Sequence, residues 1–133
     1  MTTLLGFDYG PAKIGVAVGQ TMTGTASPLE TLRAVQQHPD WDGITRLIST
    51  WEPQELVVGL PFNMDDTEAE PADKARRFAR QLEGRYHLKV HLVDERLTSI
   101  EARRTLPRKP KKIEELDAIA AQLILETWLS EQE

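Results

Sequence analysis

The chain has 133 residues, with 16 lysines and arginines against 21 aspartates and glutamates, a formal net charge of −5. That length predicts one domain spanning residues 1–133 and is too short for two lobes that close around a nucleotide. With 40% apolar and 28% charged residues the composition is that of a globular chain, and the lack of cysteine excludes disulfides, thiolate metal sites and cysteine nucleophiles.

Leu4–Tyr9 and Ile14–Val18 are short apolar runs separated by Gly10-Pro11-Ala12-Lys13, the pattern of a β-hairpin. After the turn-rich Gly19–Gly24, Ala26–Leu32 reads as a third strand. Its Pro28 belongs at an edge or an irregularity, because proline cannot donate to a ladder. Asp40 is placed to cap a helix with the stripe Ile44, Leu47, Ile48 and Trp51. Glu55–Gly59 follows as a buried strand stopped by Pro61, and Asn63–Pro71 as a polar, acidic loop. The next helix runs to about Glu83, with Ala75, Phe78, Ala79 and Leu82 inward and Gly84 as its stop. Lys89–Val93 is another strand, and Thr98-Ser99-Ile100-Glu101 fits a capping box opening a short helix. Thr105–Lys112, with two prolines and four basic residues, is a loop, and Ile113–Leu129 a closing helix.

This order predicts an α/β fold with a mixed sheet, an antiparallel three-strand meander plus two parallel strands, and helices on both faces. Trp41, Trp51 and Trp128 fall at expected core positions of helices, and Tyr9 is expected to pack in the core. His87 and His91 are four apart but share no helical face, so no metal role is expected of them. No basic segment precedes the first apolar run, which Asp8 interrupts, and no stretch reaches the 18 apolar residues of a membrane helix. A cytoplasmic protein without a membrane partner is the expectation.

The charge is unevenly spread. Lys74–Lys112 holds thirteen basic residues and four acids, a local excess of +9 inside an acidic chain. A polyanion responds to the local patch rather than to the whole-molecule sum. Charge alone leaves a solvated helix face and a phosphate-binding surface equally open.

Three acids stand out. Asp8 ends Leu4-Leu5-Gly6-Phe7, where a charge is costly unless something pairs with it or coordinates it, although a cap on the Gly10 turn also explains it. Glu95 follows Val90–Val93 at the carboxyl end of a strand, where open α/β sheets bind ligands; a surface pair of Asp94 with Arg96 is the plainer alternative for that segment. Ile113, Asp117, Ala120 and Ile124 stand at i, i+4, i+7 and i+11, so Asp117 lies on an apolar helical face or, alternatively, at its first-turn edge. Ala118, Ala120 and Ala121 let that helix approach a sheet closely. Three acids from three elements suggest a site for Mg²⁺ or Mn²⁺, which take oxygen ligands and activate water in phosphodiester cleavage. Asp8-Tyr9-Gly10 beside a hairpin also suits the phosphate motif of actin-like ATPases, but those enzymes need a second lobe that 133 residues cannot supply.

Four ordered blocks resemble one family: Gly6-Phe7-Asp8-Tyr9-Gly10 through Lys13-Ile14-Gly15-Val16-Ala17, Gly59-Leu60-Pro61-Phe62-Asn63-Met64-Asp65, Asp94-Glu95-Arg96-Leu97-Thr98-Ser99-Ile100-Glu101-Ala102, and Asp117–Leu125. They are similar to the YqgF/RuvX family, described both as Holliday junction resolvases and as pre-ribosomal RNA nucleases, and they span essentially the whole chain. The resemblance implies a ribonuclease H-like fold and a metal-dependent nuclease of the bacterial cytoplasm. The implied substrate is the 5′ end of pre-16S rRNA. Resolution of branched DNA, or non-catalytic RNA binding in ribosome assembly, are the alternatives. Partners are then nucleic acid (pre-rRNA, branched or single-stranded DNA), with the chain a monomer or a homodimer. Asp8, Glu95 and Asp117 match the family's three metal-binding acids. Lys13, Asn63, Arg96 and Thr98 match motif positions that contact substrate, and Arg108, Lys109, Lys111 and Lys112 would position phosphates. Lys13 stands where arginine is usual, which loses the bidentate fork, and Asp66 stands where glycine is usual.

Overall fold

The computed structural model describes residues 2–10, 12–36, 38–60, 70–94 and 113–132. Strands β1 (Thr3–Tyr9) and β2 (Lys13–Gln20) pair antiparallel, as the two apolar runs predict, and β3 (Thr25–Arg33) adds antiparallel to β2. β4 (Glu55–Leu60) runs parallel to β1, and β5 (Lys89–Asp94) parallel to β4. The five-stranded order is β3-β2-β1-β4-β5, with helices α1 (Trp41–Trp51), α2 (Glu70–Tyr86) and α3 (Ile113–Glu131).

Pro28 sits where its missing N–H does least damage. β3 is an edge strand, and its register against β2 shifts between Val16 and Ala17, which pair with Glu30 and Pro28 and leave Leu29 as the extra, bulged residue. Asp40 caps α1, its Oδ1 accepting from the Gly43 N–H at 3.0 Å. α1 closes on Glu52 in the left-handed region (φ 47°), whose N–H donates to the Ile48 carbonyl.

Gly84 does not stop α2. The helix continues to Tyr86, and the left-handed residue is His87 (φ 56°), whose N–H donates to the Glu83 carbonyl at 2.9 Å. Gly84 instead lies on an open helix surface, where a side chain would meet nothing within 4 Å. The αL cap has thus moved one turn's edge beyond the glycine that local sequence favours for it.

The sheet has a core on each side. Toward α1 and α2, Leu5, Phe7, Val16, Leu56 and Val58 pack with Ile44, Leu47, Phe78 and Leu82. Toward α3, Leu4, Ala17, Val57 and Val93 pack with Ala121, Ile124, Leu125 and Trp128. Period-two alternation sorts β1: Leu5, Phe7 and Tyr9 face α1 and α2, whereas Leu4, Gly6 and Asp8 face α3. Trp41 is half-buried and Trp128 is buried, but Trp51 is 40% exposed. α1 ends at Trp51, so its indole reaches only the end of β2 near Val18 and Gln20 and does not enter the core.

Candidate nuclease site

Asp8 is the penultimate residue of β1, and its partner across the ladder is Gly15 of β2. α3 crosses Gly15 at backbone contact: a β-carbon there would overlap the carbonyl oxygen of Asp117. The alanines make this approach possible, since Ala118 and Ala121 are buried against the sheet without side chains to hold the helix away. A strand residue and a helix residue more than a hundred positions apart therefore meet at one place on the α3 face. Both acids are half-buried, which confines their carboxylates while leaving them open to solvent.

Lys13 opens β2 and is also half-buried. Two residues from Gly15, it shares that residue's face, and its ladder partner on β3 is Arg33. Like charges directly opposite one another are destabilising in a ladder, so this pair concentrates positive potential beside the acids. Asn63, Glu95, Arg96, Thr98, Arg108, Lys109, Lys111 and Lys112 lie outside the described residues. Among the described residues no three His, Asp or Glu side chains form a group that could hold a metal ion.

Two features go beyond the sequence reading. His91 Nε2 lies 2.8 Å from Glu55 Oε1, and the imidazole packs against Trp128 in a tilted arrangement with ring centroids 4.5 Å apart. Strand alternation places both side chains on the α3 face, but only the parallel register, which pairs Glu55 with Lys89 and Val57 with His91, brings them together. On the other face Tyr9 stacks on Phe78 at 4.8 Å, as the core expectation has it, and Trp41 packs on the same ring. The Arg85 guanidinium lies 4.0 Å above the Trp41 ring centroid. Arg85 continues a polar stripe of Lys74, Arg77 and Gln81, whose i, i+3, i+7, i+11 spacing is the signal that would single it out within the +9 segment.

A family model described as RuvX: Holliday junction resolvase matches residues 2–131. The chain belongs to the RuvX family. A Nitrosococcus oceani protein named "Putative pre-16S rRNA nuclease" is 51% identical over 133 residues, covering 98% of this chain and 88% of that protein. A Legionella pneumophila (strain Philadelphia 1) protein of the same name is 52% identical over 134 residues, covering 97% and 96%. Solved structures share the fold at low identity. Thermus thermophilus RuvC in complex with a Holliday junction substrate superposes with a TM-score of 0.57 at 15% identity, over 99% of this chain and 96% of that one. The fowlpox virus resolvase with Holliday junction DNA gives 0.59 at 12% identity, over 98% of each. This RuvX chain is thus a nuclease, a hydrolase on a ribonuclease H-like α/β fold, as the four blocks imply. No described helix is long and apolar enough to cross a membrane.

Proposed function

We propose that this chain is a cytoplasmic, divalent-cation-dependent nuclease that processes the 5′ end of precursor 16S rRNA. The observation that carries this reading is the seating of Asp117 on Gly15, directly across the ladder from Asp8. Two half-buried carboxylates on one face, in a chain without thiols, suit Mg²⁺ or Mn²⁺, which prefer oxygen donors. Glu95 is assigned the third carboxylate by its motif position in Asp94-Glu95-Arg96. Asp8, Glu95 and Asp117 would hold the metal. When bound, a divalent ion supplies an activated water and neutralises charge on the leaving oxygen.

The chain's own residues then hold and orient the substrate. Asp8 is fixed by its place in a paired strand, and Asp117 by backbone contact with β2, so neither acid needs reordering for each substrate. Lys13 attracts a phosphate as a point charge. Asn63, Arg96 and Thr98 are assigned substrate contacts by their motif positions, and Arg108, Lys109, Lys111 and Lys112 are assigned the flanking phosphates. The names of the curated relatives support pre-16S rRNA as the substrate.

A second reading, resolution of four-way DNA junctions, draws on the description of the family model. It requires two copies across a two-fold axis. Asp8→Asn tests the mechanism, because it removes the charge and keeps the shape. Cleavage of a pre-16S rRNA leader should fall by more than roughly 100-fold, the upper end of what outer-shell partners of a metal are worth, while circular dichroism and RNA binding persist. Full activity in this variant would overturn the proposal. A four-way DNA junction assayed alongside, with the molar mass of the active species, separates the two substrates.

A further inference from the structure

On the sheet face opposite the acids, a groove of about 500 Å³ runs between α2, the start of α1 and the residues Gln36, His38 and Pro39. Its lining includes Tyr9, His38, Trp41, Lys74, Arg77 and Arg85. We infer that this groove binds the sugar–phosphate backbone of a single strand of RNA leading away from the cut site, an inference that rests on the nuclease reading.

The charge pattern is the first argument. Lys74, Arg77 and Arg85 rise along one edge of α2 at i, i+3 and i+11, and among the described residues no acid lines the groove. Neither Lys74 nor Arg77 is held in an ion pair among those residues. Like charges three or four positions apart destabilise a helix, so cations lining a groove with no acid among the described residues favour an anionic occupant. These side chains are also not all splayed into water: Lys74 is half-buried, and Arg85 is docked on the Trp41 ring. A guanidinium held in this way loses less freedom when it meets a phosphate.

Position is the second argument. Tyr9 follows Asp8 in β1, one Cα step of about 3.8 Å away. The two side chains face opposite sides of the sheet, so a strand passing over the carboxyl end of β1 goes from the acids into the groove. The rings have other occupants, Tyr9 stacking on Phe78 and Trp41 lying under Arg85. The groove therefore offers cations more than free ring faces, and the chemistry it recognises is the phosphodiester backbone, independent of sequence.

The test is binding of a fluorescein-labelled single-stranded RNA to the full chain in EDTA, over a series of salt concentrations. The double variant Lys74→Gln/Arg77→Gln should bind roughly tenfold or more weakly near 50 mM KCl. Its slope of log K against log salt should be shallower by about 1.4, the loss of two single-strand phosphate contacts. Arg46→Gln is the control, since Arg46 is an exposed cation on α1 paired with Glu30, and it should leave affinity unchanged. Equal losses in the control and the double variant would overturn the inference, showing a general charge effect. Unchanged RNA affinity in the double variant would also overturn it, and lost binding to polyglutamate in that same variant would give the groove to an acidic protein segment. The cleavage assay is independent: metal-dependent cutting with unaltered binding fails the groove alone, whereas groove-dependent binding without any cutting fails the nuclease mechanism alone.

Discussion

Gly15 is the residue on which the candidate site turns. It pairs with Asp8, and its missing β-carbon is the space that the Asp117 carbonyl occupies. The overlap would be with backbone on a helix packed along the whole sheet, so no side chain can swing aside to relieve it. Gly15→Ala should accordingly destabilise the fold by about 3 kcal/mol or more, at or above the upper range for an added methylene in a packed core. Urea denaturation measures this as a lower midpoint. On the proposed mechanism, cleavage should fall further than the folded fraction does, because the helix can make room only by carrying Asp117 away from Asp8. A variant of wild-type stability and activity would show that α3 does not need this contact. Gly43 shows how this differs from ordinary crowding. There the nearest obstacle is the Asp40 carboxylate, a side chain that can move.

Among the elements, α2 shows what a local reading of sequence can and cannot reach. Its inward stripe of Ala75, Phe78, Ala79 and Leu82 is buried throughout, because helical periodicity reports burial directly. Its end lies elsewhere than at Gly84, because glycine marks only where a left-handed cap is least strained, while the cap itself follows where the chain must turn toward β5. His87 bears that conformation. Gly84→Ala should therefore stabilise the protein by about 0.8 kcal/mol, the helix-propensity difference at an open position. The melting temperature should rise by roughly 2–4 °C; a fall would mean that Gly84 has a conformational role after all. The same distinction runs through the site. Asp8 and Asp117 were recognisable as charges at apolar positions, since alternation and periodicity are properties of single elements. Their meeting through Gly15, the His91–Glu55 pair and the groove beside Tyr9 depend on register and on helix-to-sheet distance, which no single element encodes. Trp51 falls between these cases: it has the right spacing for the core, yet it is the last residue of a helix that stops before reaching it.

At the scale of the whole molecule the sheet separates the two acids, with Lys13 beside them, from the cations of α2. Asp8 and Asp117 lie on the α3 side, while Lys74, Arg77 and Arg85 line the groove on the α1 and α2 side, and the adjacent residues Asp8 and Tyr9 link the two at the carboxyl end of β1. Kept apart, the carboxylates remain available to a cation and the basic groups to an anion. On one shared face the α2 cations would neutralise the acids in surface pairs worth little. A net charge of −5 is therefore compatible with binding a polyanion, provided the local field governs the encounter. Salt dependence decides whether it does. If three groove cations contact phosphates, log K for single-stranded RNA should fall with log salt with a slope of about −2, so affinity should drop roughly 15-fold or more between about 50 and 200 mM KCl. If the acidic total governed instead, salt would screen repulsion and affinity would rise. Fluorescence anisotropy in EDTA distinguishes the two by the sign of the slope alone, and the −2 sets a lower bound, because every further cation that meets a phosphate steepens it.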